Sequence, residues 1–459
     1  MTIDKNITTT NSEYVGDPFV DSGLMAIKLL ANKEINDCTK EDLKCLADDL
    51  VNLYLTPAWA SELQSIFPNS SYIQFAKNYN RKDKSKEFLY DLIEGIGCGH
   101  EDSYCLFCGN LAYKRKDEKP FVKTQIPLIG SSDFTNFFPS FCNGVEVCAK
   151  CALSIQFSPI LYYKAGGKPC CVSSNNLHML EEFGKECIDY IYQHEALGSF
   201  QSKKTSGIFN EDFKSPQNAI FHLAYKMSVL FKRKKILDGD EEIIIYRIDN
   251  YNQNPDGVSI YKIPSNIFKF IFIVMNDPEY KTAWYNLLSK YYVDKQKTKN
   301  DVPIWKTHYN PIHDYLLKNR SILWTFRDNK SKKSNIPWMI VEKYMNLVRN
   351  MNKQRLEDIK DLADKIAICI EELGNKKRVN ELASAKDFLT FKNRLKVLIR
   401  DWQKLGKEEP MITYDEYISA VLPDNYSNWK EVQDLIIIRL YEKLHYLFIN
   451  TEEDEGEDE

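Results

Sequence analysis

The sequence predicts an α+β chain: a mixed N-terminal domain built around a four-cysteine zinc module, followed by a C-terminal helical bundle. Three observations predict it. Apolar residues recur at helical spacing near both ends, strand-like runs are confined to the middle, and two Cys-x-x-Cys pairs stand in the first third.

Residues 1–99 read as mostly helical, with Leu43, Leu46, Leu50, Leu53 and Tyr54 at helical spacing. Residues 100–200 are richer in Cys, Gly, Pro and Ser, and read as short strands and loops around the cysteines. Strand-like runs follow at 243–248 and 260–263, and Asn254-Pro255-Asp256-Gly257 between them is a hairpin signal. The basic, polar stretch 330–334 reads as a linker. After it the texture turns helical. Leu356, Ile359, Leu362, Ala363, Ile366, Ile370 and Leu373 share one face, which Gly374-Asn375 ends. Two more apolar faces run from Leu382 through Leu389, Leu395 and Leu398 to Trp402, and from Trp429 through Val432, Leu435, Ile436, Leu440 and Leu444 to Leu447. The expected organisation is an α+β domain over 1–338 with its zinc module at about 100–155, a helical bundle over 339–450, and a disordered acidic tail over 451–459.

Composition narrows the class. With 43% hydrophobic and 27% charged residues, the 459-residue chain is neither disordered, nor collagen-like, nor a small disulfide scaffold. The net charge of −4 is unevenly spread, because the last eight residues carry seven carboxylates. Residues 200–338 hold 23 Lys/Arg against 14 Asp/Glu, the footprint of phosphate binding. No apolar stretch approaches the roughly twenty residues a membrane span needs, and the N-terminus lacks the apolar core of a signal peptide. A cytoplasmic protein with no membrane partner is expected, and there cysteines serve more often as ligands than as disulfides.

Cys105-Leu106-Phe107-Cys108-Gly109 is matched by Cys148-Ala149-Lys150-Cys151. Two residues between thiols let one tight turn aim both sulfurs at one cation, and two such knuckles complete a tetrahedron. One structural Zn2+ held by Cys105, Cys108, Cys148 and Cys151 is expected, with Cys98, His100 and Cys142 as nearby substitutes. Four thiolates leave no open position, so this metal should stabilise the fold rather than act chemically. His313-Asp314, Gly166-Gly167-Lys168 and Cys170-Cys171 each lack the partners their chemistry would need, and read as a helix start, a turn and packed thiols. No catalytic constellation can be assembled from spacing, so no catalytic residue is named and a non-enzyme is expected.

Compact basic clusters stand at Lys114-Arg115-Lys116, Lys203-Lys204, Lys232-Arg233-Lys234-Lys235 and Lys332-Lys333. Together with the many aromatics they suit a surface that tracks a nucleic-acid backbone. In the loop 131–139, Asn136 and Phe137 offer the amide donor and rigid wedge of a minor-groove reader. A buried aromatic staple under the zinc module is the equal alternative.

The octet Gly16-Asp17-Pro18-Phe19-Val20-Asp21-Ser22-Gly23, the paired Cys105/Cys108 and Cys148/Cys151, and the helical tail together resemble the CXXC–CXXC family of CRISPR-associated proteins. The resemblance implies the large subunit of a type I-B Cascade, the RNA-guided surveillance complex of antiviral defence. Such a subunit has no catalysis of its own. It reads the motif flanking the target (the PAM) in double-stranded DNA, helps open the duplex and stabilises the R-loop. The implied partners are guide RNA (crRNA), target DNA, the backbone and 5′-handle-binding Cascade subunits, and a recruited helicase-nuclease. The family's zinc ligands carry over to Cys105, Cys108, Cys148 and Cys151. Related systems often translate a separate small subunit from the end of the large-subunit message. Met339, Met345 and Met351 are then either internal starts or packing residues. Two alternatives stay open: a zinc-containing enzyme of nucleic-acid metabolism, which would cleave or modify its substrate unaided, and a zinc-ribbon RNA-binding assembly factor, which would bind structured RNA without a guide.

Overall fold

The computed structural model describes residues 14–129, 144–234, 241–248, 257–294, 303–421 and 428–449. They form two compact units, one comprising Met1–Ile220, Glu241–Ile263 and Asp301–Thr307, the other Phe221–Asp240, Pro264–Asn300 and His308–Glu459.

The first unit begins with four helices: α1 (Pro18–Ala31), α2 (Lys40–Tyr54), α3 (Pro57–Ile66) and α4 (Arg81–Gly95). Their starts are written locally. Asp17 caps α1 ahead of Pro18, and Thr39 with Asp42 forms a capping box on α2. After the cysteine segment come α5 (Ala149–Phe157) and α6 (Leu177–Ala196). A five-stranded sheet has the order β3-β1-β2-β4-β5, with β1 (Tyr162–Ala165), β2 (Lys168–Ser174), β3 (Phe209–Asn210), β4 (Ile243–Ile248) and β5 (Val258–Ile263). Gly166 and Gly167, both at positive φ (58° and 75°), make the tight turn joining β1 to β2. The expected second hairpin is present, since β4 and β5 pair antiparallel from Ile243↔Ile263 to Ile248↔Val258. Its turn, apart from Gly257, lies outside the described residues.

Residues 100–200 depart from the expected strands and loops, for they carry α5 and α6. Ala149 and Cys151 to Phe157 are all buried, so α5 has no polar face to reveal a helical period. In α6 the apolar positions Met179, Leu180, Phe183, Cys187, Ile188 and Ile191 do recur at helical spacing behind the Asn176 cap, and only the polar composition disguised them.

Close packing fixes α1 against α5. A Cβ on Gly23 would lie 1.7 Å from the Ser154 carbonyl oxygen, so the two backbones meet where no side chain fits.

Helix α7 (Pro216–Lys234) carries the boundary between the units, and α10 (Ile304–Thr307) returns to the first. The second unit contains α8 (Ser265–Asn276), α9 (Pro278–Lys290) and α11 (Pro311–Leu317) as well as the helices after residue 338. These are α12 (Trp338–Leu347), α13 (Lys353–Leu373), α14 (Lys377–Ala383), α15 (Phe388–Lys404), the single turn α16 (Tyr414–Glu416), α17 (Trp429–Leu444) and α18 (Tyr446–Ile449). Gly374 ends α13 in the left-handed region, φ +62°, as its place in the sequence requires. The expected linker at 330–334 is instead part of a short hairpin, β6 (Arg327–Asp328) with β7 (Lys333–Ser334). Asp328 holds its turn by accepting from the Lys330 N–H at 2.9 Å and the Ser331 hydroxyl at 2.8 Å.

Aromatic rings fill this second core. Tyr344 packs edge-on against Phe270 and Phe326, and its hydroxyl accepts from the Ile322 N–H at 3.1 Å. Met345 and Met351 are buried in the core, whereas Met339 is 57% exposed. A product starting at Met339 would lose Phe270 and Phe326 from around Tyr344. The His313-Asp314 pair is structural, as its spacing suggested. Asp314 bonds Lys318 at 2.7 Å, and His313 is buried against Phe221 and 3.1 Å from the Tyr225 hydroxyl. The burial depresses its pKa to about 3.

Two tests follow from this packing. Gly→Ala inside a helix ordinarily stabilises by roughly 0.5–1 kcal/mol, but Gly23→Ala should destabilise by about 1–3 kcal/mol or more, read as a lower denaturant midpoint. An unchanged midpoint would refute the close approach. His313 is neutral when folded and charges on unfolding, so its contribution is full above the unfolded value near 6.5 and is lost as pH falls towards about 3. It should lower stability by about 1.4 kcal/mol per pH unit in that window. His313→Gln should flatten this acid-side slope in urea titrations, and an identical slope would contradict the assignment.

Candidate metal centre

The first knuckle is a tight hairpin. Tyr104 and Leu111 bridge antiparallel, the Cys105 N–H donates to the Asn110 carbonyl at 2.7 Å, and the Ala112 N–H donates to Ser103 at 2.8 Å. Gly109 closes the turn with its N–H on the Cys105 carbonyl at 3.0 Å and φ of +71°, a conformation that favours glycine. The second pair sits at the start of α5. Cys148 is the N-cap residue, and its Sγ accepts from the Cys151 N–H at 3.4 Å. The segment 145–147 delivers it, through backbone bonds from Leu106 to Glu146 at 2.9 Å and from Tyr113 to Val147 at 3.0 Å, beside a bridge between Phe121 and Val145.

The four Sγ atoms lie within 4.8 Å of one another, and Cys108 and Cys148 approach to 3.6 Å. A tetrahedron with metal–sulfur bonds of about 2.3 Å has edges of about 3.8 Å, so the set is compatible with one zinc ion. Cys105 and Cys151 are buried, Cys108 and Cys148 half-buried. Hydrogen bonds from the Cys148 and Cys151 thiols hold Cys105 far below the usual cysteine range. Its bond to Cys105 raises Cys148 to about 12, and bonds to Cys105 and Cys148 push Cys151 higher still. Thiols this close cannot all ionise unaided. A divalent cation bound among them would supply the missing positive charge, and the N-terminus of α5 adds a favourable dipole.

Among the described residues this is the one group of three or more Cys, His, Asp or Glu side chains placed to share an ion. Cys98 is exposed, and neither it nor His100 joins the cluster; Cys142 lies outside the described residues. Cys170 and Cys171 are buried in β2, where desolvation pushes both thiols up, Cys170 to about 12.

The N-terminal octet packs next to this centre. Asp17 caps α1 through the Phe19 and Val20 N–H groups, both at 3.0 Å. Burial raises its carboxyl, and neighbouring Cys105 adds to the rise. Asp21 reaches back to the Val15 and Gly16 N–H groups at 2.8 and 2.9 Å, and the Ser22 hydroxyl lies 3.4 Å from the Cys171 sulfur. Sequence reasoning missed Gln156. Its amide donates to the Gln125 carbonyl at 2.7 Å, while its own oxygens accept from Tyr54 at 2.8 Å and Tyr72 at 3.3 Å, tying the insert between the knuckles to the core.

Residues 100–163, spanning both knuckles, α5 and the start of β1, match the model of the CRISPR-associated protein family Cas_CXXC_CXXC. The match supports a CRISPR-associated protein. No curated protein and no solved structure matches the chain. No helix of the described residues is long and apolar enough to cross a membrane.

The basic residues singled out from sequence are dispersed over both units. Lys114 is exposed and pairs with Glu118 at 3.0 Å; Lys116 lies 3.6 Å from Asp91. Arg115 is nearly buried, 5.4 Å from the Phe88 and Phe121 ring centres and 3.0 Å from Asp117, so it reads as a packed strut. Lys203 and Lys204 are exposed. Lys232 donates to the Asn276 carbonyl at 2.7 Å at the end of α8. Lys332 lies over the Tyr441 ring at 5.8 Å, and Lys333 is exposed on β7. Asn136, Phe137 and Lys235, the side chains of Arg233 and Lys234, and the acidic tail lie outside the described residues.

Cys105→Ser should lower the zinc content from one ion per chain to near none by elemental analysis, whereas Cys98→Ser should leave it unchanged. Because each ligand must lose its proton to bind, retention of the ion should also fall as the pH of dialysis is lowered. A full complement of zinc in Cys105→Ser would contradict the assigned ligand set.

Proposed function

We propose that this CRISPR-associated chain is the large subunit of a type I-B Cascade, with one structural zinc and no catalysis of its own. The observation that carries the reading is the family match over 100–163, which covers all four cysteines of the closed thiol set. In this role the zinc is a cross-link. Guide RNA pairing reads the target sequence, while the protein reads the flanking motif, helps open the duplex and stabilises the R-loop. The chain would work with guide RNA, target DNA, the backbone and 5′-handle-binding subunits, and a recruited helicase-nuclease. The centre suits this division of labour, because four sulfurs leave no coordination position for water or substrate.

Native mass spectrometry of the tagged chain purified from its own host tests the reading. The expected result is an assembly containing RNA and repeated partner subunits, with no nuclease activity in the isolated chain. A bare chain with one zinc, or metal-dependent cleavage by the chain alone, would overturn it.

A further inference from the structure

The second unit carries a cationic row that the basic clusters discussed above do not include. In α15 every fourth residue from Lys392 is basic: Lys392, Lys396, Arg400 and Lys404. Residues four apart on a helix stack on one side, about 6 Å apart along the axis. The packed face of α15 is Phe391, Leu395, Leu398 and Trp402, all buried, and the row lies on the other side. Lys396, Arg400 and Lys404 are exposed and Lys392 is half-buried.

The row is not neutralised by its surroundings. Residues 376–407 contain ten Lys/Arg against three Asp/Glu. Each acid is already occupied. Asp387 caps α15 through the Thr390 N–H at 2.8 Å, Glu381 pairs with Arg378 at 2.9 Å and Arg394 at 3.5 Å, and Asp401 holds Arg378 at 2.9 Å and Lys404 at 3.1 Å. The side chains of Lys392, Lys396 and Arg400 make no ion pair or hydrogen bond among the described residues. Like charges at i and i+4 oppose helix formation. Helix α13, by contrast, mixes signs and pairs Lys360 with Glu357 at 3.4 Å. The row therefore costs the helix stability that alternating charge would have supplied.

We propose that Lys392, Lys396 and Arg400 form a contact for the phosphodiester backbone of a nucleic acid. Cations repeated at a constant interval along a straight axis suit a polyanion whose charges are also regularly spaced. A single small anion would need donors converging on one point, which a straight row does not supply. The absence of acids from the row fits a ligand of one sign, and Arg400 adds a planar fork that can grip two phosphate oxygens. The proposal deepens the nucleic-acid reading above and rests on it.

The test uses the full chain and three probes: a labelled single-stranded DNA, the same sequence as a duplex, and polyglutamate. Lys392→Ala, Lys396→Ala and Arg400→Ala are combined in one variant; Lys392→Arg, Lys396→Arg and Arg400→Lys in a charge-preserving one. Alanine is the best helix former, so the first variant should keep or raise the thermal midpoint. Affinity is measured from about 50 to 200 mM salt. The expected result is weaker DNA binding by the alanine variant, with the slope of log K against log salt reduced by about 2 if the single strand lies on the row and by about 3 if the duplex does. The charge-preserving variant should keep the wild-type slope, and the DNA form that loses more affinity is the one that lies on the row. Unchanged DNA affinity and slope in the alanine variant would overturn the proposal while leaving the nucleic-acid reading intact. Loss of polyglutamate binding alone would overturn it in favour of an acidic protein partner. Wild-type protein that binds neither DNA would overturn both.

Discussion

Four sulfurs held within 4.8 Å are tolerable only if most stay protonated or a cation joins them, and the first unit is arranged around that constraint. Between Gly95 and Ala149 the described chain has no helix and only isolated bridges, at Tyr104↔Leu111 and Phe121↔Val145. Such a segment has little secondary structure of its own to oppose chain entropy. A zinc ion held by these four thiolates would join its two ends through one point, and its free energy of binding would become free energy of folding.

Helix α5 transmits that order inward. Its first turn supplies Cys148 and Cys151, its middle receives α1 at Gly23, and Gln156 near its end ties the insert to Tyr54 and Tyr72. The N-terminal octet takes on a physical meaning here. Asp17 and Asp21 build the entry into α1, Ser22 meets Cys171, and Gly23 lets two backbones touch. The octet thereby anchors α1 against α5, the helix that begins with Cys148 and Cys151.

Local chemistry made much of this legible. The Cys-x-x-Cys spacing named the four cysteines whose sulfurs the fold brings together, because knuckle geometry is set within four residues of chain. The Asn254-Pro255-Asp256-Gly257 signal predicted the β4–β5 pairing, and Gly374 marked the end of α13. What stayed hidden depends on tertiary contact. The buried α5 has no polar stripe to betray its period, and the roles of Gln156 and Gly23 exist only once α1 and α5 are packed. The stretch 330–334 read as a linker because the sequence shows Lys and Ser but not the Asp328 carboxylate that closes the hairpin. Basic clusters are legible in sequence, but not that Arg115 packs against the Phe88 and Phe121 rings. The row on α15 went unnoticed because its four cations are spaced along a helix rather than adjacent.

A metal-loaded cysteine centre would cross-link the first unit and leave the second to its own aromatic core. Amide hydrogen exchange on the full chain, before and after zinc is stripped with a chelator, tests it most directly. Protection is expected to fall across 100–129 and 144–163 and in α1 and α5, while α13 and α17 keep theirs. Unchanged exchange around the knuckles after verified zinc removal, or equal loss in both units, would contradict it.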